Sequence, residues 1–154
     1  MQRTLCGGVL LALTLVAGGT SGACGAERLA GPFVAHVQAV IDGDTLEVEV
    51  PVWLGVALTT KVRLRGIDTP ELRGRCPREK ELAAQAKRLL EQETTPQVRL
   101  TNIEGDKYYG RVEADVSTVP GGLSLSEAML SSGLARPYDG GKRGGWCGLA
   151  GLAR

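Results

Sequence analysis

The chain has 154 residues, with 18 lysines and arginines against 17 aspartates and glutamates and a formal net charge of +1 at pH 7. This length predicts a single domain. A balance so close to neutral excludes nucleic-acid binding through a strong overall basic field, so any phosphate binding must come from a local arrangement of charge.

The first 26 residues have the layout of a secretory signal peptide. Residues 1–3 form a short basic region, residues 5–17 are apolar but too few to span a bilayer, and small residues follow as far as Ala26. We therefore expect residues 1–26 to be cleaved off, which leaves a periplasmic or secreted protein. Lipid attachment at Cys24 and retention of the segment as a membrane anchor are the alternatives.

Three strands are predicted next. Residues 33–41 and 45–52 are rich in β-branched and other apolar residues, and the second run alternates apolar with polar positions, which indicates one buried face. Asp42-Gly43-Asp44 forms the turn between them. Residues 51–60 predict the far end of a hairpin, and residues 61–67 predict the third strand, which ends before Pro70.

A helix, two further strands and a short helix complete the predicted elements. Pro77 suits the first turn of a helix, whose apolar stripe consists of Leu82, Ala86, Leu89 and Leu90. Residues 98–103 and 111–117 predict two strands joined by the turn GDKYYG, and Ser124 with Glu127 forms a capping box for the second helix. Five short strands with mostly local connections predict a mainly β (α+β) fold, a small closed or half-closed barrel with two packed helices.

Two cysteines lie within the predicted mature domain. Because the chain carries an export signal, a disulfide between Cys76 and Cys147 is the default interpretation. The alternatives are two unpaired thiols and a two-cysteine zinc site, which is disfavoured because the single histidine, His36, lies far away in sequence. His36 is interpreted as a half-exposed strand residue without a catalytic role.

Four carboxylates lie at the ends of the predicted strands: Asp42, Asp44, Asp68 and Glu71. If the second and third strands pair antiparallel, Asp44 at the start of one approaches Asp68 at the end of the other. Carboxylates held together repel one another unless a cation or a proton intervenes, and calcium is a cation that oxygen ligands favour. The alternative for Asp42-Gly43-Asp44 is an Asx-type turn without a metal.

Two arginines accompany these acids: Arg63 in the third strand and Arg111 after the tyrosine-rich turn. A guanidinium presents a planar fork suited to two phosphate oxygens. The arginines and a metal between aspartates would therefore hold a phosphodiester, while the remaining carboxylate orients or deprotonates water. In a purely structural role, Arg63 would pair with Glu47 or Glu49, and Arg111 would be a solvated loop residue.

Four motifs, in the family's order, make the sequence resemble the staphylococcal (micrococcal) nuclease-like domain family. They are IDGDT at residues 41–45, VRLRGIDTPE at residues 62–71, YGR at residues 109–111 and SEAMLSSGLA at residues 126–135. The resemblance covers roughly residues 34–138 and implies a five-stranded OB-fold-type barrel with packed helices.

The resemblance also implies a calcium site. Asp44 and Asp68 would bind the ion through their carboxylates and Thr69 through its backbone carbonyl. Asp42 would lie just outside the metal shell.

Catalytic and substrate-binding roles are implied in the same way. Arg63 and Arg111 would bind the phosphate, and Glu71 would be the general base. The expected substrate contacts are Tyr109, Lys107 and Tyr138, although DKYYGR has one residue more than the family's usual DKYGR, which leaves open whether Asp106, Lys107 or Tyr108 fills the neighbouring positions.

The sequence departs from the family at two further places. The basic loop after DTPE is shortened to LRGR, and a glycine-rich tail replaces the family's terminal helix. We therefore expect a signal peptide at residues 1–26, a nuclease-like barrel at residues 27–139 and a tail at residues 140–154 that Cys147 ties to Cys76.

The activity implied by the resemblance is calcium-dependent cleavage of DNA, RNA or both, with little sequence preference, leaving 3′-phosphates. We expect a monomer without an obligate protein partner. The alternative is an inactive nuclease-like barrel of the cell envelope that binds nucleic acid without cutting it. Such modules usually lose the acids or the arginines, and this chain keeps both.

Overall fold

The structure is a computed structural model that describes residues 28–148. The predicted signal peptide and residues 149–154 lie outside the described residues. No helix within residues 28–148 is long and apolar enough to cross a membrane.

Short strands make up most of the regular structure. In chain order the elements are β1 (Arg28–Leu29), β2 (Phe33–Val40), β3 (Thr45–Trp53), β4 (Val56–Leu64), β5 (Ile67–Asp68), α1 (Pro77–Glu93), β6 (Gln97–Gly105), β7 (Arg111–Val119), α2 (Leu125–Ser131) and β8 (Arg136–Pro137).

Five of these strands close into a barrel. Strands β2, β3 and β4 form an antiparallel meander, β4 pairs parallel with β7, β7 pairs antiparallel with β6, and β6 returns antiparallel to β2. This is the closed, mixed five-stranded barrel with two helices that the sequence predicts, so the OB-fold-type prediction is confirmed. His36 lies exposed on β2 opposite Glu49.

The hairpin between β3 and β4 is tighter than predicted. Trp53 pairs with Val56, so that only Leu54 and Gly55 form the turn, and Gly55 has a φ of +74°. Strand β4 therefore begins five residues before the predicted third strand and covers much of the segment expected as a hairpin end. It also ends early, because Gly66 at φ +79° turns the chain before β5.

The barrel interior holds the apolar residues of alternate strand positions, and both helices cover it. Fully buried examples are Leu46, Val48, Val62, Leu64, Val98 and Ala114 from the strands with Leu90 and Met129 from the helices. On α1 the buried positions include Ala83, Ala86 and Leu90, whereas Leu82 of the predicted stripe is half-buried.

The glycine-rich tail is held against the barrel. Strand β8 pairs antiparallel with β5, with Asp68 opposite Arg136. A disulfide joins Cys76, the N-cap of α1, to Cys147, with 6.0 Å between their Cα atoms. Trp146, next to Cys147, is 4% exposed. The tail thus brings residues 136–147 beside the end of β4 and the segment after β5.

Candidate active site

An open cleft of about 270 Å³ lies beside the entrance to β3. It is bordered by the turn before β3, the end of β4, the segment after β5 and the turn between β6 and β7. Six residues that the sequence singles out line it: Asp42, Asp44, Arg63, Thr69, Glu71 and Arg111. Pro70, Tyr108 and Arg143 complete the lining.

Asp44 is the most buried acid of this cleft, with 4% of its surface exposed. Its backbone N–H donates to Asp42 Oδ1 at 3.0 Å, which is the Asx-type turn considered for this tripeptide. Thr45 Oγ1 donates to Asp44 Oδ1 at 2.9 Å. Burial raises the pKa of Asp44 to about 6, despite the opposing charge of Arg63, and the charge of Asp42 adds to the rise. The protein therefore holds this carboxylate where its negative charge is incompletely compensated.

Arg63 reaches the same carboxylate from β4. Its Nη1 lies 2.6 Å from Asp44 Oδ2, and its Nη2 donates to the carbonyl of Ile67 at 2.9 Å. Antiparallel pairing of β3 with β4 places Arg63 opposite Thr45, one residue from Asp44. Arg63 makes no ion pair with Glu47 or Glu49, the structural role considered for it; among the described residues its acidic partner is Asp44.

Asp68 lies beside this cleft and is not one of its lining residues. It is 2% exposed and borders an adjoining cavity that shares Thr69, Glu71 and Arg143 with the first. Its Oδ2 accepts from Arg136 Nε and Nη2 at 3.0 and 2.7 Å and from Trp146 Nε1 at 3.3 Å. Residues 136–146 thus supply the hydrogen-bond donors of this buried carboxylate.

Glu71 is exposed to solvent and forms an ion pair with Arg143 of the tail. Arg143 Nε also lies 3.3 Å from Asp68 Oδ1, so one guanidinium bridges two of the predicted site acids. Burial by itself would lower the pKa of Arg143, but the charges of Asp68 and Glu71 outweigh it and raise that pKa. Arg143 is therefore a positively charged group in the lining of the cleft.

Arg111 is held in place within its turn. Its Nε lies 2.7 Å from Asp106 Oδ2, and its guanidinium lies 4.7 Å from the centre of the Tyr108 ring. Burial would raise the pKa of Asp106, but the hydrogen bond and charge of Arg111 outweigh it and lower that pKa. In the longer DKYYGR turn, Asp106 thus orients Arg111 and Tyr108 lines the cleft.

The three predicted substrate contacts lie outside the lining of this cleft. Tyr109 is fully exposed, and Lys107 is exposed with its Nζ 5.3 Å from the centre of the Tyr108 ring. Tyr138 borders a neighbouring cavity, and its hydroxyl donates to the carbonyl of Gly141 at 2.8 Å. Their roles as substrate contacts stay predictions.

The acids at the cleft offer oxygen ligands, but within residues 28–148 no three of them bring their ligand atoms within 4.8 Å of one another. Within residues 28–148, one group of three acidic, histidine or cysteine side chains has its ligand atoms within 4.8 Å of one another, namely Cys76, Glu79 and Cys147. Its cysteines form a disulfide, and a metal needs thiolates. The cleft instead offers only oxygen ligands, which suit calcium rather than zinc, and the incompletely compensated charge of Asp44 favours a cation there.

Sequence reasoning missed three residues that contact the site acids. Arg136, Arg143 and Trp146 all come from the end of the chain, and together they donate to Asp68 and Glu71. The signal for their position was the Cys76–Cys147 pair, because a disulfide to the start of α1 returns the tail to the segment that follows β5.

Comparison with known families adds an independent observation. A family model described as staphylococcal nuclease homologue matches residues 61–143. The matched range begins in β4, includes Arg63, Asp68, Glu71 and Arg111, and ends at Arg143; it does not include the turn before β3. No match is found among curated proteins.

Proposed function

The chain belongs to the staphylococcal nuclease homologue family, whose model matches more than half of it, and on this premise we propose that it is a calcium-dependent phosphodiesterase. We propose that it cleaves DNA, RNA or both with little sequence preference and leaves 3′-phosphates. Family membership supports a nuclease-type domain with a nucleic-acid substrate.

The observation that carries this proposal is the composition of the cleft. One cavity brings together a buried carboxylate, Asp44, two arginines, Arg63 and Arg111, and a solvent-exposed carboxylate, Glu71. A phosphodiester needs cationic groups for its oxygens and an accessible base or water-positioning group for the attacking water. An inactive binding module would need the arginines but not the acids.

Each residue then has a distinct task. Arg63 and Arg111 bind the non-bridging phosphate oxygens, and their contacts strengthen as charge develops on the phosphate. Glu71, at the edge of the cleft, orients a water molecule or accepts its proton. Asp44, Asp68 and the carbonyl of Thr69 would hold calcium, which supplies charge neutralisation and activation of the phosphoryl group when bound.

We also propose that the protein acts outside the cytoplasm. The signal-peptide layout of residues 1–26 supports export, and the Cys76–Cys147 disulfide is of the kind that persists in oxidising compartments.

The test is digestion of single-stranded DNA and RNA oligonucleotides of the same sequence, first with calcium and then with a calcium-selective chelator. We expect cleavage with calcium, loss of cleavage in chelator and products that a phosphatase converts to 3′-hydroxyl ends. Nucleic-acid binding without any cleavage in calcium would instead support the binding-module alternative and would contradict the proposed activity.

A further inference from the structure

The segment between β8 and the disulfide carries an arginine toward the cleft. Residues 139–147, which we call the C-terminal arm, begin after the pairing of β8 with β5 and end at the Cys76–Cys147 bond. Buried Trp146 anchors the far end of the arm. Arg143 lies between these two fixed points, so its position is set by structure at both ends.

Arg143 is a lining residue of the same cleft as Arg63 and Arg111. Its guanidinium contacts Asp68 Oδ1 and Glu71 and lies 5.6 Å from the centre of the Tyr138 ring. A guanidinium has five N–H donors, more than these carboxylate contacts use. Arg143 is therefore able to donate to a further group in the cleft.

Charge balance indicates what that group is. The cleft and its border hold several carboxylates that would repel a phosphodiester, and Arg63 is already paired with Asp44 while Arg111 is paired with Asp106. The chain as a whole has a net charge of only +1 and offers no strong attractive field. Arg143, the third arginine of the lining, lies beside Glu71 and adds a guanidinium to those that can face a phosphate.

Arg143 shares Asp68 with two other donors of the chain, Arg136 and Trp146. When Arg143 turns away, Asp68 gives up the contact at Oδ1 but keeps Arg136 and Trp146 as donors to Oδ2. Glu71 is exposed, and water is able to replace its contact with Arg143. Turning Arg143 toward a ligand breaks fewer contacts than turning Arg136 would, because Arg136 also donates to the carbonyls of Gly144 and Gly145.

We propose that Arg143 is a third phosphate-binding arginine of the cleft, delivered by the C-terminal arm. It contacts a phosphate of the bound nucleic-acid strand, next to the phosphate held by Arg63 and Arg111. This inference rests on the proposed function, and it assigns a substrate-binding role to a residue of the tail that replaces the family's terminal helix.

The test measures binding without turnover. A fluorescein-labelled single-stranded dT octamer is titrated with the full chain, its disulfide intact, in chelator over a range of NaCl concentrations, and binding is followed by fluorescence anisotropy. For single strands, each phosphate neutralised by the protein contributes about 0.7 to the slope of log K against log salt. Arg143→Gln should weaken binding severalfold and reduce that slope by about 0.7.

Two matched variants make the result specific. Arg143→Lys keeps the charge and should keep most of the slope, which distinguishes phosphate binding from a structural role. Lys142→Gln removes the same charge from the adjacent residue of the arm, which is exposed and outside the cleft lining, and should leave the slope close to that of the wild type. Melting temperatures of all variants confirm that the arm remains folded.

The outcomes separate this inference from the proposed function. If the wild type cleaves DNA with calcium but Arg143→Gln binds the octamer with unchanged affinity and slope, the inference is overturned and the function stands. Tighter octamer binding by Arg143→Gln would also overturn it, because Arg143 would then block the cleft. If the wild type cleaves neither DNA nor RNA, the proposed function is contradicted, whatever the octamer binding of the variants.

Discussion

Arg63 and Asp44 form a buried ion pair, with Arg63 Nη1 2.6 Å from Asp44 Oδ2 and both side chains less than a tenth exposed. The pair joins a predicted phosphate-binding group to a predicted calcium ligand. Arg63 compensates the charge of Asp44 only in part, so binding of a cation to Asp44 would free the Arg63 fork for a phosphate. The two roles are therefore coupled through one contact.

Lysine should not replace either cleft arginine. It keeps the charge, but its point-like ammonium lacks the planar fork of a guanidinium. We expect Arg63→Lys and Arg111→Lys each to lose at least about a hundredfold in turnover, since removal of one transition-state donor commonly costs about 10²–10³ in rate. The measurement is steady-state cleavage of a short oligonucleotide at saturating calcium.

A control variant and a folding measurement show whether a loss of turnover is specific to the cleft arginines. Arg88→Lys, on the exposed face of α1, should retain the turnover of the wild type. Arg63→Lys also removes the hydrogen bond to Ile67, so circular dichroism must confirm that the variant is folded. Wild-type turnover in folded Arg63→Lys would show that Arg63 serves only as the ion-pair partner of Asp44.

Gly43 should be intolerant of a side chain. A Cβ at this position would lie 2.7 Å from the Ala86 Cβ on α1 and 2.9 Å from Thr69 Oγ1. Gly43→Ala therefore forces the turn that carries Asp44 away from Thr69. We expect a loss of about 1–3 kcal/mol in the free energy of unfolding, together with reduced cleavage, measured by urea denaturation and by the oligonucleotide assay.

Gly105→Ala is the matched control, because no atom lies within 4 Å of a Cβ built there and its φ is not positive. It should leave both stability and cleavage close to the wild type. A stable and fully active Gly43→Ala would mean that the turn has room to move and that its contact with α1 does not position the site.

Removal of the disulfide should lower both the stability of the protein and its rate of cleavage. It links residues 71 positions apart, and removal of a native disulfide typically costs about 2–5 kcal/mol. Because Trp146, beside Cys147, donates to Asp68, we expect cleavage to fall as well. Cys76→Ser/Cys147→Ser is compared with the wild type by thermal unfolding, with and without reductant.

Reductant should lower the melting temperature of the wild type toward that of the double serine variant and should leave the variant itself unchanged. Two free thiols found by mass spectrometry in protein purified from an oxidising compartment, or a wild type indifferent to reductant, would contradict a structural role for the bond.

The barrel was predictable from sequence because its signals are local. Alternation of apolar residues in β3, the proline at the start of α1 and the capping box of α2 each determine an element within a few residues. Ser124 accepts from the backbone N–H of Glu127, as that box predicts. Element ends were less predictable: the continuation of β3 and β4 to the Leu54-Gly55 turn depends on cross-strand pairing.

The site was predictable only in part, for a physical reason. Motifs placed Asp44, Arg63, Glu71 and Arg111 at one cleft, because strand pairing brings their positions together. The partners of Asp68 come from the tail, about 70 residues further along the chain, and β5 and β8 have two residues each. Strands so short carry no periodicity, and the cysteine pair was the signal in the sequence that the chain returns to this part of the fold.

The central claim is that a calcium ion bound at Asp44 and Asp68 supports phosphodiester cleavage in this cleft. The most direct measurement is the initial rate of oligonucleotide cleavage against free calcium for the wild type, Asp44→Asn and Asp68→Asn, with folding verified for each. We expect a saturable rise for the wild type, no activity in chelator, full recovery when calcium is returned, and loss of nearly all the calcium-dependent rate in both variants. Full wild-type activity in chelator, or a folded Asp44→Asn with the calcium response of the wild type, would contradict it.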